Sequence, residues 1–378
     1  MEYRNLTNLR NSLKANFESQ GLFAYSFLRS VSYTAQQLSL PLAEYLFTGK
    51  RKMTPPEHLE NIKKAHGYLV NLLKKDIQNI QDGIYPMEVL SPESPLKHLL
   101  RIPKILLDGY FISKRKQEKK SEDFDAEAME NSSGAPDYAK RNYHFQTGGY
   151  FTQSSAELYE HQVEILFSGS ADAMRRLIIP LLKKQIAASG KAENGEGLNF
   201  LEVGAGTGRL SKFMKLAFPK AKLTITDLSS PYLKEAQKQL AEMNRVDFVQ
   251  TPAEKLPFQE NSFDVVYSCF LFHELPREVR EQVIRESHRV LKTDGLFGFV
   301  DSIQNDDVQD LTWALSQFPT EFHEPFYKNY IQTPMTQLIT QNSFEFTSAE
   351  IGFFSKAILA KRVDSVLKVP SDVVSHSS

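Results

Sequence analysis

The chain has 378 residues, 41% of them hydrophobic and 24% charged, with 18 glycines, 18 prolines and a formal net charge of −1. These values exclude a fibrous or wholly disordered chain, and the near-zero charge removes any global attraction to nucleic acid. The length implies two domains, or one large domain with an extension. Cys269 is the single cysteine, which excludes an internal disulfide and any multi-cysteine zinc or iron–sulfur site. The longest charge-free stretch, between Arg29 and Glu44, is rich in Ser, Gln and Thr, so no spanning helix is expected. Charges at Glu2, Arg4, Arg10, Lys14 and Glu18 speak against a secretory leader, and the expected setting is cytoplasmic.

The first hundred residues read as helices. Thr54, Pro55 and Glu57 predict a capping-box start. Leu59, Ile62, Leu69, Leu73, Ile77 and Ile80 then recur at helical spacing, with Gly83 as the stop. This amphipathic helix needs a partner. Residues 99–120 set Arg101, Lys104, Lys114, Arg115, Lys116, Lys119 and Lys120 around Ile102, Ile105, Leu106, Leu107, Tyr110 and Phe111. Such a basic amphipathic segment either lies peripherally on an anionic membrane or docks on its own domain with a solvated charged end. The acidic run Glu122, Asp123, Asp125, Glu127, Glu130 and the Asn131-Ser132-Ser133-Gly134-Ala135-Pro136 stretch read as a mobile linker. The expected division is a helical region at 1–113, a flexible charged linker at 114–141 and a main domain at 142–378.

From Leu198 short apolar runs alternate with helical ones. Strands are predicted at 198–203, 222–227, 246–249, 263–268 and 296–301, with helices near 208–217, 231–243 and 277–291 between them. Such alternation builds a parallel sheet covered on both faces. Runs near 343–347 and 354–360 lack a long helix between them, so the last strand is expected to be antiparallel. The fold class is α/β, a seven-stranded Rossmann-like sheet preceded by helices.

Between the first strand and its helix stands Leu201-Glu202-Val203-Gly204-Ala205-Gly206-Thr207-Gly208-Arg209. Glycines there let backbone approach a ligand, although a merely tight turn uses them too. A dinucleotide fingerprint would need glycine at 209, and arginine occupies that position, which disfavours a nicotinamide oxidoreductase. Asp227 closes the second strand, where an acid accepts the hydroxyls of a ribose or caps the next helix.

The series resembles the class I S-adenosylmethionine-dependent methyltransferases. It comprises the loop from Glu202 to Gly208, Asp227, Ala253-Glu254-Lys255-Leu256-Pro257-Phe258, Phe263-Asp264-Val265-Val266-Tyr267-Ser268, His273-Glu274-Leu275 and Arg289-Val290-Leu291-Lys292 before Gly295. The resemblance implies a cofactor, S-adenosylmethionine, with S-adenosylhomocysteine as product. It also implies that Gly204, Gly206 and Gly208 pass under the methionine and ribose portions, that Asp227 holds the ribose diol and that Ala253 offers its N–H to adenine. Ser268 would face the methionine amino group, and Glu202 would orient the loop or that amino group. Pro252 departs from the family, where an acid often receives the adenine amine; Glu254 would substitute through a bent loop.

Residues 142–197 would contribute a lid, in which Tyr143-His144-Phe145-Gln146-Thr147-Gly148-Gly149-Tyr150-Phe151 is dense in aromatics suited to a sulfonium cation or to helix packing. Phe318 to Tyr327 would line the acceptor. His144, His273 and His323 are the candidate bases, with Tyr327 and Tyr150 as orienting groups. No metal motif occurs. The expected reaction is methyl transfer to a small, apolar or aromatic acceptor. The alternative is a non-catalytic S-adenosylmethionine-binding module whose helical region recruits a partner.

Overall fold

A computed structural model describes residues 19–37, 56–91, 93, 95–118 and 122–364. Thr54, Pro55 and the side chain of Glu57 lie outside the described residues, and so do Lys119 and Lys120.

Among the described residues seven strands form one sheet in the order β3-β2-β1-β4-β5-β7-β6. They are β1 (Asn199–Val203), β2 (Lys222–Asp227), β3 (Val246–Gln250), β4 (Phe263–Cys269), β5 (Leu291–Ser302), β6 (Phe344–Gly352) and β7 (Ser355–Arg362). Strands β1 to β5 pair in parallel, and β7 runs antiparallel to both β5 and β6. The chain reverses between β6 and β7 through Phe353 and Phe354, Phe353 with φ at 55°. The strand order reverses direction between β1 and β4, and in open α/β sheets ligands bind outside the carboxyl ends at such a switch point.

The helices are α1 (19–37), α2 (Pro56–Gln81), α3 (Pro95–Glu118), α4 (Ala126–Asn131), α5 (Gln153–Leu166), α6 (Ala171–Arg175), α7 (Ile178–Ala188), α8 (Arg209–Ala217), α9 (Ser230–Gln239), α10 (Arg277–Val290), α11 (Thr312–Phe322), α12 (Tyr327–Gln332) and α13 (Met335–Gln341). Local chemistry sets several of their starts. Thr152 and Ser229 cap α5 and α9 by accepting from Ser155 N and Tyr232 N, and Pro231 occupies the first turn of α9.

The partner that α2 needs is the sheet domain. Its Ala65, Leu69, Leu72 and Leu73 join Tyr85, Val89, Met174, Leu177 and the β5–β7 core in one continuous apolar cluster. Asp76 of α2 receives Arg176 in two hydrogen bonds, Nε to Oδ1 at 2.8 Å and Nη2 to Oδ2 at 2.6 Å, with both side chains 3% exposed. The helical region is therefore a wall of the main core. Helix α3 buries Ile105 against Tyr33 of α1 and Leu158 and Ile165 of α5. Its other side exposes Leu100, Leu106, Leu107, Tyr110 and Phe111.

The segment expected as a linker is instead built into the fold. Lys114 to Glu118 continue α3. Asp125 caps α4 through Ala128 N, and Ala128, Ala135 and Ala139 bury against Phe151. Composition misleads here because the acidic residues face outward while alanines of α4, the turn after it and the next short helical turn pack inward.

A candidate cofactor pocket with a tyrosine lid

At the carboxyl ends of β1, β2 and β4 lies a cleft, open to solvent at its mouth. Its floor is the glycine loop. Gly204, Gly206 and Gly208 have φ of 64°, 55° and 74°. A Cβ at Gly208 would meet Ala236 Cβ at 3.0 Å, so this turn excludes a side chain both by backbone conformation and by close packing. Gly206 N and Ser229 N each donate to Asp227 at 2.7 Å, fixing the carboxylate at the end of β2. Burial pushes the Asp227 carboxyl up to about 6, against the pull of those backbone donors.

Glu202 lies beneath the loop, 1% exposed, and its Oε2 accepts from Ser211. Its Oε1 has no hydrogen-bond partner among the described residues and borders the cleft. Burial raises this carboxyl to about 8. Ala253 lines the cleft. Glu254 Oε1 accepts from Tyr138 Oη at 2.8 Å, while its Oε2 is buried and, among the described residues, unpartnered. Ser268 does not line the cleft. Its side chain is fully buried within β4, and Cys269, the next residue on the alternating strand, opens onto the space together with Phe270 and Leu271.

Arg209, which breaks the dinucleotide pattern, has a structural explanation. It is 2% exposed and lies 3.3 Å from Glu160, 3.4 Å from Asp172 and 3.5 Å from Glu93. Thr207 of the loop also donates to Glu160, which in turn receives Arg175 at 3.1 Å. Arg29 of α1 reaches Glu164 at 3.0 Å and Asp172 at 3.3 Å. A buried ionic network thus ties the glycine loop to helices that precede it by more than a hundred residues.

The wall facing the loop is tyrosine. Tyr138, Tyr143, Tyr150, Tyr159 and Tyr232 all line the cleft. Tyr143 stacks on Tyr150 with centroids 5.4 Å apart, and Tyr150 and Tyr159 meet Tyr232 edge-on at 5.3 and 5.5 Å. Tyr150 Oη donates to Glu274 Oε1 at 2.5 Å, and Glu274 also borders the cleft. Gly149 precedes Tyr150 with φ at 54°, and a Cβ there would collide with the Arg141 carbonyl. The sequence marks Tyr143 and Tyr150; Tyr138, Tyr159, Tyr232 and Glu274 carry no spacing signal that assigns them to one wall.

Of the proposed catalytic residues, three gather behind Glu274 and none borders the cleft itself. His144 Nε2 lies 3.3 Å from Glu324 Oε1 and 3.8 Å from Glu274 Oε1. His273 Nδ1 pairs with Asp301 Oδ1 at 2.6 Å, its Nε2 standing 3.9 Å from Glu274. Burial alone would lower His273, but Asp301 raises it to about 9. Tyr327 Oη shares a hydrogen bond with Ser302 Oγ at 2.6 Å and its ring lies 5.8 Å from His273. His323 stands apart, its ring against Phe145 at 5.2 Å and its Nε2 buried without a partner among the described residues.

A glycine loop, an acid closing the second strand and a cleft at the switch point define an α/β domain that holds a nucleoside-bearing cofactor. Residues 200–295 match the family described as "Methyltransferase domain". The chain is 35% identical over 103 residues to a ubiquinone/menaquinone biosynthesis C-methyltransferase UbiE of Hahella chejuensis, covering 26% of this chain and 41% of the relative. It is 34% identical over 108 residues to a malonyl-[acyl-carrier protein] O-methyltransferase of Geobacter sulfurreducens, covering 29% and 40%. The chain thus spans about two fifths of the length of these curated relatives. A solved S-adenosylmethionine-dependent methyltransferase from Aquifex aeolicus aligns over 48% of this chain and 89% of its own, with 18% identity and a TM-score of 0.35. Residues 200–295 are thus similar to a methyltransferase domain, and S-adenosylmethionine is the cofactor against which the cleft is tested. The cleft fits that group: the unpartnered Glu202 Oε1 suits an ammonium, Asp227 a diol, and the tyrosine faces a sulfonium cation.

Proposed function

We propose that the protein transfers a methyl group from S-adenosylmethionine to a small, apolar or aromatic acceptor. The observation that carries this reading is the cleft itself, with the glycine loop and Asp227 on one wall and five tyrosines and Glu274 on the other. Asp227 holds the ribose diol, the Ala253 N–H and the free Glu254 Oε2 read the adenine in place of the acid that Pro252 lacks, and Glu202 receives the amino group. When bound, the cofactor supplies an already activated methyl group. The chain's part is then positioning and exclusion of water, which Phe270, Leu271 and the stacked Tyr143–Tyr150 pair supply. Asp301 keeps His273 protonated at neutral pH, so Glu274 is the group on the acceptor wall able to receive a proton or orient a hydroxyl. The relatives named for quinone and malonyl-carrier substrates support a small acceptor. The exposed apolar residues of α3, with Lys104 and Lys114 exposed beside them, suit an acceptor delivered from an anionic membrane surface.

The test is thermal unfolding with S-adenosylmethionine, S-adenosylhomocysteine or a nicotinamide cofactor, repeated on Asp227→Ala. Ligand at about 100 times its dissociation constant adds about 2.7 kcal/mol of stability, a shift of a few degrees. A shift with the first two ligands that disappears in Asp227→Ala supports the site, and no shift in a folded sample overturns it. Formation of S-adenosylhomocysteine in the presence of quinone-like or carboxylate acceptors then separates an enzyme from a binding module.

A further inference from the structure

Behind the acceptor wall, three chain segments remote in sequence bring His144, Glu274 and Glu324 together. One ligand atom from each lies within 4.8 Å of the others. A first-row divalent ion bound at about 2.0–2.2 Å by nitrogen and oxygen needs donors roughly 3–4 Å apart, which the 3.3 and 3.8 Å separations from His144 Nε2 satisfy. A second observation points the same way. Glu324 is 1% exposed, and neither of its carboxylate oxygens has a hydrogen-bond partner among the described residues. Buried carboxylates are ordinarily satisfied, and its facing group is the same imidazole nitrogen that Glu274 approaches.

His273 stands beside this group without joining it: its Nδ1 is held by Asp301, whose other oxygen accepts from Phe272 N at 2.7 Å, and its Nε2 lies 3.9 Å from Glu274. His144 itself is held with φ at 55°, in the left-handed region that a histidine seldom adopts.

We propose that His144, Glu274 and Glu324 bind one divalent transition-metal ion. Nitrogen and carboxylate donors together favour manganese, iron, cobalt or zinc over calcium or magnesium. Because Glu274 also borders the cleft, the ion faces the acceptor end of the pocket. It would select acceptors bearing an oxygen ligand, a hydroxyl, carbonyl or carboxylate. That use of the ion rests on the methyl-transfer reading, whereas the ion site itself does not.

The full chain, stripped with chelator and returned to chelator-free buffer, is titrated with Mn²⁺ while the free-ion EPR signal is followed, and with Co²⁺ while visible absorption is followed. One ion per chain is expected, with binding weakened at least about 100-fold in Glu324→Gln and about 10-fold or more in His144→Ala. Far-UV circular dichroism and the S-adenosylhomocysteine thermal shift check that each variant is folded. Should Glu324→Gln not fold, the cobalt spectrum of the wild type against His144→Ala decides. Absence of a stoichiometric ion in the wild type, or equal affinity in the folded variants, overturns the site. S-adenosylhomocysteine stabilisation without metal binding overturns the ion site and leaves methyl transfer standing. A stoichiometric ion without that stabilisation does the reverse.

Discussion

The two walls of the cleft are built on different sequence scales. Gly206 and Asp227, joined by one hydrogen bond, are 21 residues apart and sit on consecutive strand ends. On the opposite wall Tyr143 and Glu274 are 131 residues apart, and Tyr150 and Glu274 124. The first wall is a local βαβ unit whose glycines, strand ends and helix caps are all short-range chemistry. The second exists only after α5, the segment 122–151 and the β4–α10 connection have packed together. Under the proposed function that line separates the cofactor, on the local wall, from acceptor selection, on the assembled one.

Cutting the anchor of α2 on the main core should have the largest effect. Replacing Asp76 by Ala leaves Arg176 buried and uncompensated, and urea unfolding should show a loss of about 3–5 kcal/mol. If the loss is below about 1 kcal/mol, α2 is not part of the shared core. Asp227→Ala should weaken S-adenosylhomocysteine about 100-fold or more, because two hydrogen bonds to a charged group are lost at about 1.5–3 kcal/mol each. Calorimetry measures it directly, and its unfolding midpoint without ligand should also fall, because Gly206 N and Ser229 N lose their acceptor.

Tyr150→Phe probes the other wall. It removes the hydrogen bond to Glu274 while keeping the ring stack with Tyr143, so turnover should fall about 10-fold or more with cofactor affinity changed less than about threefold. Loss of both together would show that the two walls are not functionally separate. Cofactor affinity should also depend on pH. Burial raises the Asp227 carboxyl above its usual value to about 6, so the free protein is protonated there below that pH and must give up the proton to accept the diol. Affinity should therefore fall by about tenfold per unit between about pH 8 and 6 as Glu202 takes up a proton, and more steeply below 6 as Asp227 does, the second step being absent in Asp227→Asn. The smallest effect is expected on α3. Leu107→Glu should reduce co-sedimentation of the full chain with anionic vesicles at low salt, leaving turnover of a soluble acceptor unchanged. No vesicle binding by the wild type at low salt would remove the membrane reading.

The order of the strands follows from alternation of apolar runs and helices, and their predicted bounds differ from the observed ones mainly at β5 and β6. β5 begins at Leu291 instead of 296 because its first residues pair with Phe263 across a register shift. The segment 122–141 was illegible for a different reason: its acidic and polar composition describes the solvent face, and only packing shows Ala128, Ala135 and Ala139 turned onto Phe151 and Tyr138 turned onto Glu254. Arg209 has the same lesson, since only the fold shows Glu93, Glu160 and Asp172 waiting for it.

By itself the sequence determined the sheet, the glycine loop, the acid at the end of β2 and hence the class of cofactor, because each of these rests on residues within one turn or one strand of each other. The tertiary structure decided which tyrosines form the lid, which histidines stand behind Glu274 and that the N-terminal helices share the main core. Tyr143 and Tyr150 meet Glu274 across 131 and 124 positions, and distance in sequence carries no record of which buried side chains will meet.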